Sequence, residues 1–166
     1  RAERSYTLRA ASKFFPEPVL SQPAVARSAK ALRAATAPWR KKNQKIALVP
    51  TMGALHAGHI KLVRAAGRKA DRTIVSIFVN PAQFGPKEDL TRYPRTWRED
   101  LEKLTAEKID LIYAPTVREM YPEGFATKVT LEGPALGLET DFRPHFFAGV
   151  ATVVAKLLAA ALPDYA

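Results

Sequence analysis

Ile46-Ala-Leu-Val-Pro-Thr-Met-Gly-Ala-Leu-His56-Ala-Gly-His59 reads as a buried apolar strand, a small-residue turn and the start of a helix that carries two histidines. The first turn of a helix leaves backbone N–H groups without partners and carries the positive end of the macrodipole, so this layout favours a bound anion. Gly53 and Gly58 permit close approach of a ligand to the backbone. His56 and His59, three residues apart, fall on one face and can converge on one phosphate group. Two readings stand on spacing alone, a phosphate site and a merely structural turn. No metal-ligand set is read: the chain has no Cys, and its remaining histidine is His145.

Outward from this stretch the chain alternates strand and helix. Ala29 to Arg40 reads as an amphipathic helix around Leu32, Ala35 and Trp39, interrupted late by Pro38. Ile46 to Val49 is a short buried strand, Ile60 to Ala70 a helix, and Ile74 to Val79 a strand apolar enough to be covered on both faces. Thr96 with Glu99 is a capping-box signal, followed by Trp97, Leu101 and Leu104 on one helical face. Ile109 to Ala114 is a third strand, and 147–162 a last apolar helix. The expected class is therefore α/β, a Rossmann-like parallel sheet flanked by helices, with ligands beyond the carboxyl ends of the strands. Pro50 to His59 and Asn80 to Gln83 each follow a strand and so share that edge.

Composition narrows the class without naming a function. The 166 residues suit one domain, and 47% hydrophobic content supplies an ordinary core. The absence of Cys excludes a disulfide framework and fits a reducing compartment. The apolar stretch Val150 to Leu162 is interrupted by Lys156 and is too short to span a bilayer, so no membrane partner is expected. The formal charge of +10 attracts anions generally, yet many basic residues lie before Gln44, and no aromatic platform or recognised motif points to specific nucleic-acid binding. Residues 1–25 read as an atypical basic, disordered or transit-like extension, and 26–166 as the folded domain. Because the chain opens on Arg1, it is expected to be processed or a fragment.

Four ordered blocks carry a family resemblance. Pro50-Thr-Met-Gly-Ala-Leu-His-Ala-Gly-His59, Phe78-Val-Asn-Pro-Ala-Gln-Phe-Gly85 continuing to Tyr93-Pro-Arg-Thr96, Met120-Tyr-Pro122, and Arg143-Pro144 with Phe147-Ala-Gly-Val150 closely resemble the pantothenate synthetase family. That family lies within the nucleotidylyltransferase superfamily marked by His-x-Gly-His. The resemblance implies a ligase of pantothenate biosynthesis, on the route to coenzyme A. It condenses pantoate with β-alanine through pantoyl adenylate, consumes ATP with Mg2+, and releases AMP and pyrophosphate. It also implies a cytoplasmic homodimer at full length.

By the same resemblance Met52, Gly53, Ala54, Leu55, His56, Ala57, Gly58 and His59 hold ATP, with His56 and His59 catalytic on its phosphates. Gln83, Asn80, Thr51 and Met52 line the pantoate and β-alanine pocket, and Tyr93, Met120 and Arg143 are further candidates. Read without the family, Asn80 and Gln83 are equally turn residues flanking Pro81. Ala57 departs from a position often Glu. Phe146 stands where the family has His, so His145 does not inherit that role. The family's Gly-Glu-Lys-Asp segment, its Ser-Ser-Arg loop and its C-terminal domain are absent, so the chain alone is expected to be inactive. Two other readings remain in view, another His-x-Gly-His nucleotidyl transferase and a non-catalytic basic nucleotide- or nucleic-acid-binding fragment.

Overall fold

In a computed structural model of the chain, which describes residues 21–85, 90–133, 137, 143 and 146–166, four parallel strands form one sheet in the order β1-β4-β3-β2. The strands are β1 (Ala24–Ala26), β2 (Ile46–Thr51), β3 (Arg72–Ile77) and β4 (Leu111–Tyr113). The helices are α1 (Ala29–Lys41), α2 (Ala57–Lys69), α3 (Trp97–Ala106), the single turn α4 (Val117–Met120) and α5 (Phe146–Ala161). Side-chain alternation along the strands divides the core in two. Ile46, Leu48, Ile74, Leu111 and Tyr113 meet Leu32 of α1 and Val153 and Leu157 of α5 on one face. Val49, Val75 and Ile112 meet Val63 of α2 and Leu104 of α3 on the other. Both faces are covered, which is why the strands read as nearly continuous apolar runs.

Four sequence expectations need correction. The boundary drawn after residue 25 cuts through β1, a short strand that pairs with β4 and that no periodicity could announce in three residues. Pro38 does not interrupt α1, which runs on to Lys41. Proline forfeits one helical hydrogen bond, but Arg40 donates to the carbonyls of Ala161 and Leu162 at 2.6 and 2.7 Å, and Trp39 packs on the core, so tertiary contacts hold the last turn. Helix α2 starts at Ala57 rather than Ile60, because His56 itself caps it. Thr96 precedes α3 as expected, yet its hydroxyl makes no capping bond and donates to Asp100 Oδ2 at 3.2 Å instead.

The outer edge of β2 is met by residues 164–165: the Tyr165 carbonyl accepts from Leu48 N, and the N–H groups of Asp164 and Tyr165 donate to the Ile46 carbonyl. No helix among the described residues is long and apolar enough to cross a membrane.

Helix α5 presses on the 3-10 turn Pro81–Gln83 at Gly149. A Cβ there would collide with the Ala82 carbonyl oxygen and stand 2.7 Å from its carbon and 3.0 Å from Gln83 N, all rigid backbone. Gly149→Ala is therefore expected to destabilise the fold by about 1–3 kcal/mol through overpacking. A fall in the urea midpoint checks this, and an unchanged midpoint would contradict it.

Candidate functional site

The carboxyl ends of β2 and β3 feed two loops that meet. After β2 the backbone turns through Gly53 (φ 84°) and Ala54 (φ 49°), both in the left-handed region. For Ala54 that conformation costs about 1 kcal/mol. Thr51 ties the turn to the neighbouring strand: its hydroxyl donates to the Ser76 carbonyl at 2.7 Å and accepts from Gly53 N at 3.2 Å. Asp100, only 1% exposed, reaches in from α3 and accepts from Ala54 N at 2.9 Å and Leu55 N at 2.7 Å. Lys103, one turn further along α3, donates to the Leu55 carbonyl at 2.6 Å.

The histidines cap one another. Nδ1 of His56 accepts from Gly58 N at 3.1 Å, and Nδ1 of His59 accepts from His56 N at 3.4 Å, a capping box built from imidazoles. Gly58 makes the approach possible, since a Cβ there would lie 2.9 Å from His56 Cε1. The rings converge, with centroids 4.0 Å apart. A backbone N–H can only donate, so each Nδ1 must offer a lone pair, and in the neutral ring the proton then sits on Nε2. The pair thus presents two Nε2–H donors. Burial, and after it the charge of His56, push the His59 pKa below 6.5, with Asp100 opposing.

The amides of Gly53, Ala54, Leu55, His56 and Gly58 already have acceptors within the chain. The imidazoles are donors that this turn still offers a ligand, and the backbone serves to aim them.

The second loop is organised by Asn80, which is 1% exposed. Its Oδ1 accepts from Ala82 N at 3.3 Å and Nδ2 donates to the Gly149 carbonyl at 3.1 Å, so two backbone groups of fixed polarity settle which atom is which. Tyr121 donates its hydroxyl to Oδ1 at 2.7 Å, and the remaining Nδ2 proton goes to Gln83 Oε1 at 3.1 Å. The Gln83 amide is thereby oriented with Nε2 toward Met52, 2.9 Å from its sulfur. Met52, Gly53, Phe78, Pro94 and Trp97 line a cleft of ≈ 520 Å³ at this edge.

The remaining candidates divide. Tyr93 stacks edge-on against Phe84, 5.8 Å between centroids, and burial raises its pKa. Arg143 donates to the Gln83 carbonyl at 3.2 Å and lies over the Phe146 ring. Met120 is 2% exposed within the core, so it supports the sheet rather than lining the cleft. Ala57 is exposed in the first turn of α2. His145 lies outside the described residues. Sequence reasoning missed Asp100, Lys103 and Tyr121. A carboxylate at position 100 shares a helical face with Trp97, Leu101 and Leu104, and that charge on an apolar stripe was the available signal. Among the described residues no group of three or more His, Cys, Asp or Glu gathers to hold a metal ion.

Comparison with known proteins places this geometry in a family. The pantoate-beta-alanine ligase family model matches residues 24–166. The chain is 61% identical over 145 residues to pantothenate synthetase of Bradyrhizobium sp. strain BTAi1, covering 87% of this chain and 51% of that protein. Its fold is similar to that of pantothenate synthetase from Thermus thermophilus, with a TM-score of 0.77, 47% identity, and coverage of 85% of this chain and 50% of that one. It is also similar to pantoate-beta-alanine ligase from Francisella tularensis, solved in complex with beta-gamma ATP and beta-alanine, at TM-score 0.78, 38% identity, and coverage of 86% and 54%. The chain spans about half the length of these relatives. The match of the family model over residues 24–166, with 61% identity to a pantothenate synthetase and a fold that follows solved members over 85% of the chain, makes this chain a member of the pantoate-β-alanine ligase family.

Proposed function

We propose that the whole protein joins pantoate to β-alanine at the expense of ATP, through pantoyl adenylate, and that this chain supplies the phosphate turn and one wall of the acyl pocket. The observation that carries the reading is the pair of Nε2–H donors fixed by the reciprocal caps, beside the oriented amide of Gln83. A pantoate carboxylate oxygen attacks the α-phosphorus, the bond to the α–β bridging oxygen breaks, and pyrophosphate leaves. The β-alanine amine then attacks the acyl carbon, loses a proton, and displaces AMP. Negative charge grows on phosphate oxygens in the first step, and preorganised donors stabilise it there. His56 and His59 supply those donors. Gln83 Nε2 addresses the pantoate carboxylate or hydroxyl, and Asn80, Thr51 and Met52 hold it and the turn in register.

Magnesium enters with the nucleotide, as the ion on its phosphates, and contributes charge neutralisation. The setting is the cytoplasm, which suits a chain without cysteine. Assembly as a homodimer rests on family resemblance alone. Since the relatives are about twice as long, turnover by these 166 residues alone is expected to be negligible.

In protein extended to the length of its relatives, ATP, pantoate and β-alanine should yield AMP and pyrophosphate; ADP with phosphate as the nucleotide products would rule the adenylate route out. His56→Asn sharpens the test, because Asn is a good N-cap without an imidazole. It should retain stability yet slow adenylate formation by about 100-fold or more, whereas His56→Ala should also lose about 0.5–2 kcal/mol of stability with the cap. Wild-type rates in the Asn variant would remove His56 from the chemistry.

The neutral ring sets a pH window. The folded pKa of His59 lies below its unfolded value of 6.5, so in that interval the unfolded chain binds more protons. The His59 contribution to stability is therefore full above pH 6.5 and is lost as the pH falls through the lower folded value. An NMR titration of the ring protons should give a midpoint under 6.5. A midpoint above that value would mean that the ring gains charge on folding, against the cap geometry.

A further inference from the structure

We propose that Asp100 and Lys103 of α3 are positioning residues of the nucleotide site, holding the turn Gly53–Leu55 in the one conformation that presents His56 and His59 together. The inference rests on the reading of that turn as phosphate-binding. Three observations carry it. First, the turn cannot hold itself: Ala54 sits at φ 49° without being glycine, and its N–H and that of Leu55 have Asp100 as acceptor, at 2.9 and 2.7 Å. Second, the fit is close on both sides. Gly53 packs so near the carboxylate that a Cβ would lie 3.1 Å from Asp100 Oδ2 and 3.2 Å from Ile77 Cγ2. Third, Lys103 grips the next peptide, the one that joins Leu55 to His56, donating to the Leu55 carbonyl at 2.6 Å. A carboxylate taking the Ala54 and Leu55 amides and an ammonium taking the Leu55 carbonyl fix the successive peptides on either side of the Leu55 Cα.

The second of these peptides carries the His56 N–H, which must point at His59 Nδ1 for the reciprocal cap to close. The carboxylate is otherwise a poor neighbour for phosphates, since a buried negative charge repels them. Its usefulness is therefore geometric. Thr96 adds a third donor at 3.2 Å, so most of the carboxylate's acceptor positions are taken within the chain and Asp100 acts through the turn. Lys103, although exposed, is tethered at the turn and partly offsets the charge beside it.

The test uses the 166-residue chain, with imidazole nitrogen NMR and titration by inorganic tripolyphosphate. In the unsubstituted chain each of His56 and His59 should show a single tautomer with Nδ1 unprotonated, and tripolyphosphate should shift both rings. Asp100→Asn removes one acceptor without changing shape. It should turn both rings into tautomer mixtures and weaken tripolyphosphate binding by about tenfold, as expected for one charge-assisted hydrogen bond. Core methyl signals of Ile74 and Leu111 should stay in place. Lys103→Met should act in the same direction by about threefold, in keeping with a more exposed contact. A merely structural role would lower stability and leave tautomers and affinity alone, and that result would overturn the proposal. Should Asp100→Asn fail to fold, Lys103→Met decides alone, because its ammonium is not part of the core. If tripolyphosphate moves neither ring in the unsubstituted chain, the phosphate reading fails, while the tautomers of the variants still judge the clamp.

Discussion

Two imidazoles that cap each other's backbone are the constraint on which the site depends. Each spends Nδ1 on an N–H, one on Gly58 and one on His56, so neither ring can turn over without opening the first turn of α2. Helix caps ordinarily satisfy orphan donors with Ser, Thr, Asp or Asn. Using histidine for this task satisfies the same kind of donor and leaves a second, opposite ring nitrogen uncommitted to the helix. A structural device and a functional one are then the same atoms.

The rest of the fold makes that arrangement rigid. Strands β2 and β3 pair over six residues in register, Ile46 with Arg72 through Thr51 with Ile77, so the loops that follow them start level. From beneath, α3 fixes the first loop through Asp100 and Lys103. From the other face, α5 and Tyr121 fix the second through Asn80, whose four hydrogen-bonding positions are all taken within the protein. Met52 and Gln83 then close the gap between the loops at 2.9 Å. Elements separated by as many as 69 residues converge on one amide, and no local sequence window contains them. Burial of both sheet faces supplies the stiffness, since close-packed cores resist small shifts of the elements they join.

Much of this was legible in the sequence. The alternation of apolar runs with amphipathic helices specified a parallel sheet, and the two motif loops fell on its carboxyl edge because each follows a strand. The paired histidines could be singled out because their type and spacing suit a phosphate, and Gln83 through the family resemblance of the block around it. Less legible were features whose meaning depends on partners far along the chain. Pro38 looks like a stop until Arg40 is seen anchored to the end of α5, and the three residues of β1 are too few to show a period. Met120 looked like a candidate lining residue from its motif, but its burial makes it a part of the core. Asp100 stood one position beyond a capping signal and was hidden by it. Its place on the apolar face of α3 was visible, and a carboxylate on such a face needs donors. The spacing could not say that those donors would be the amides of Ala54 and Leu55 in the turn after β2.

The central claim is that neutral, mutually capped imidazoles are the phosphate-facing donors of this chain. Nitrogen NMR of the histidine rings with millimolar MgATP measures it most directly. The account predicts that Nε2 of both rings shifts on nucleotide addition while Nδ1 of both stays unprotonated. Rings protonated on both nitrogens in the complex, or rings that do not respond to the nucleotide, would contradict it.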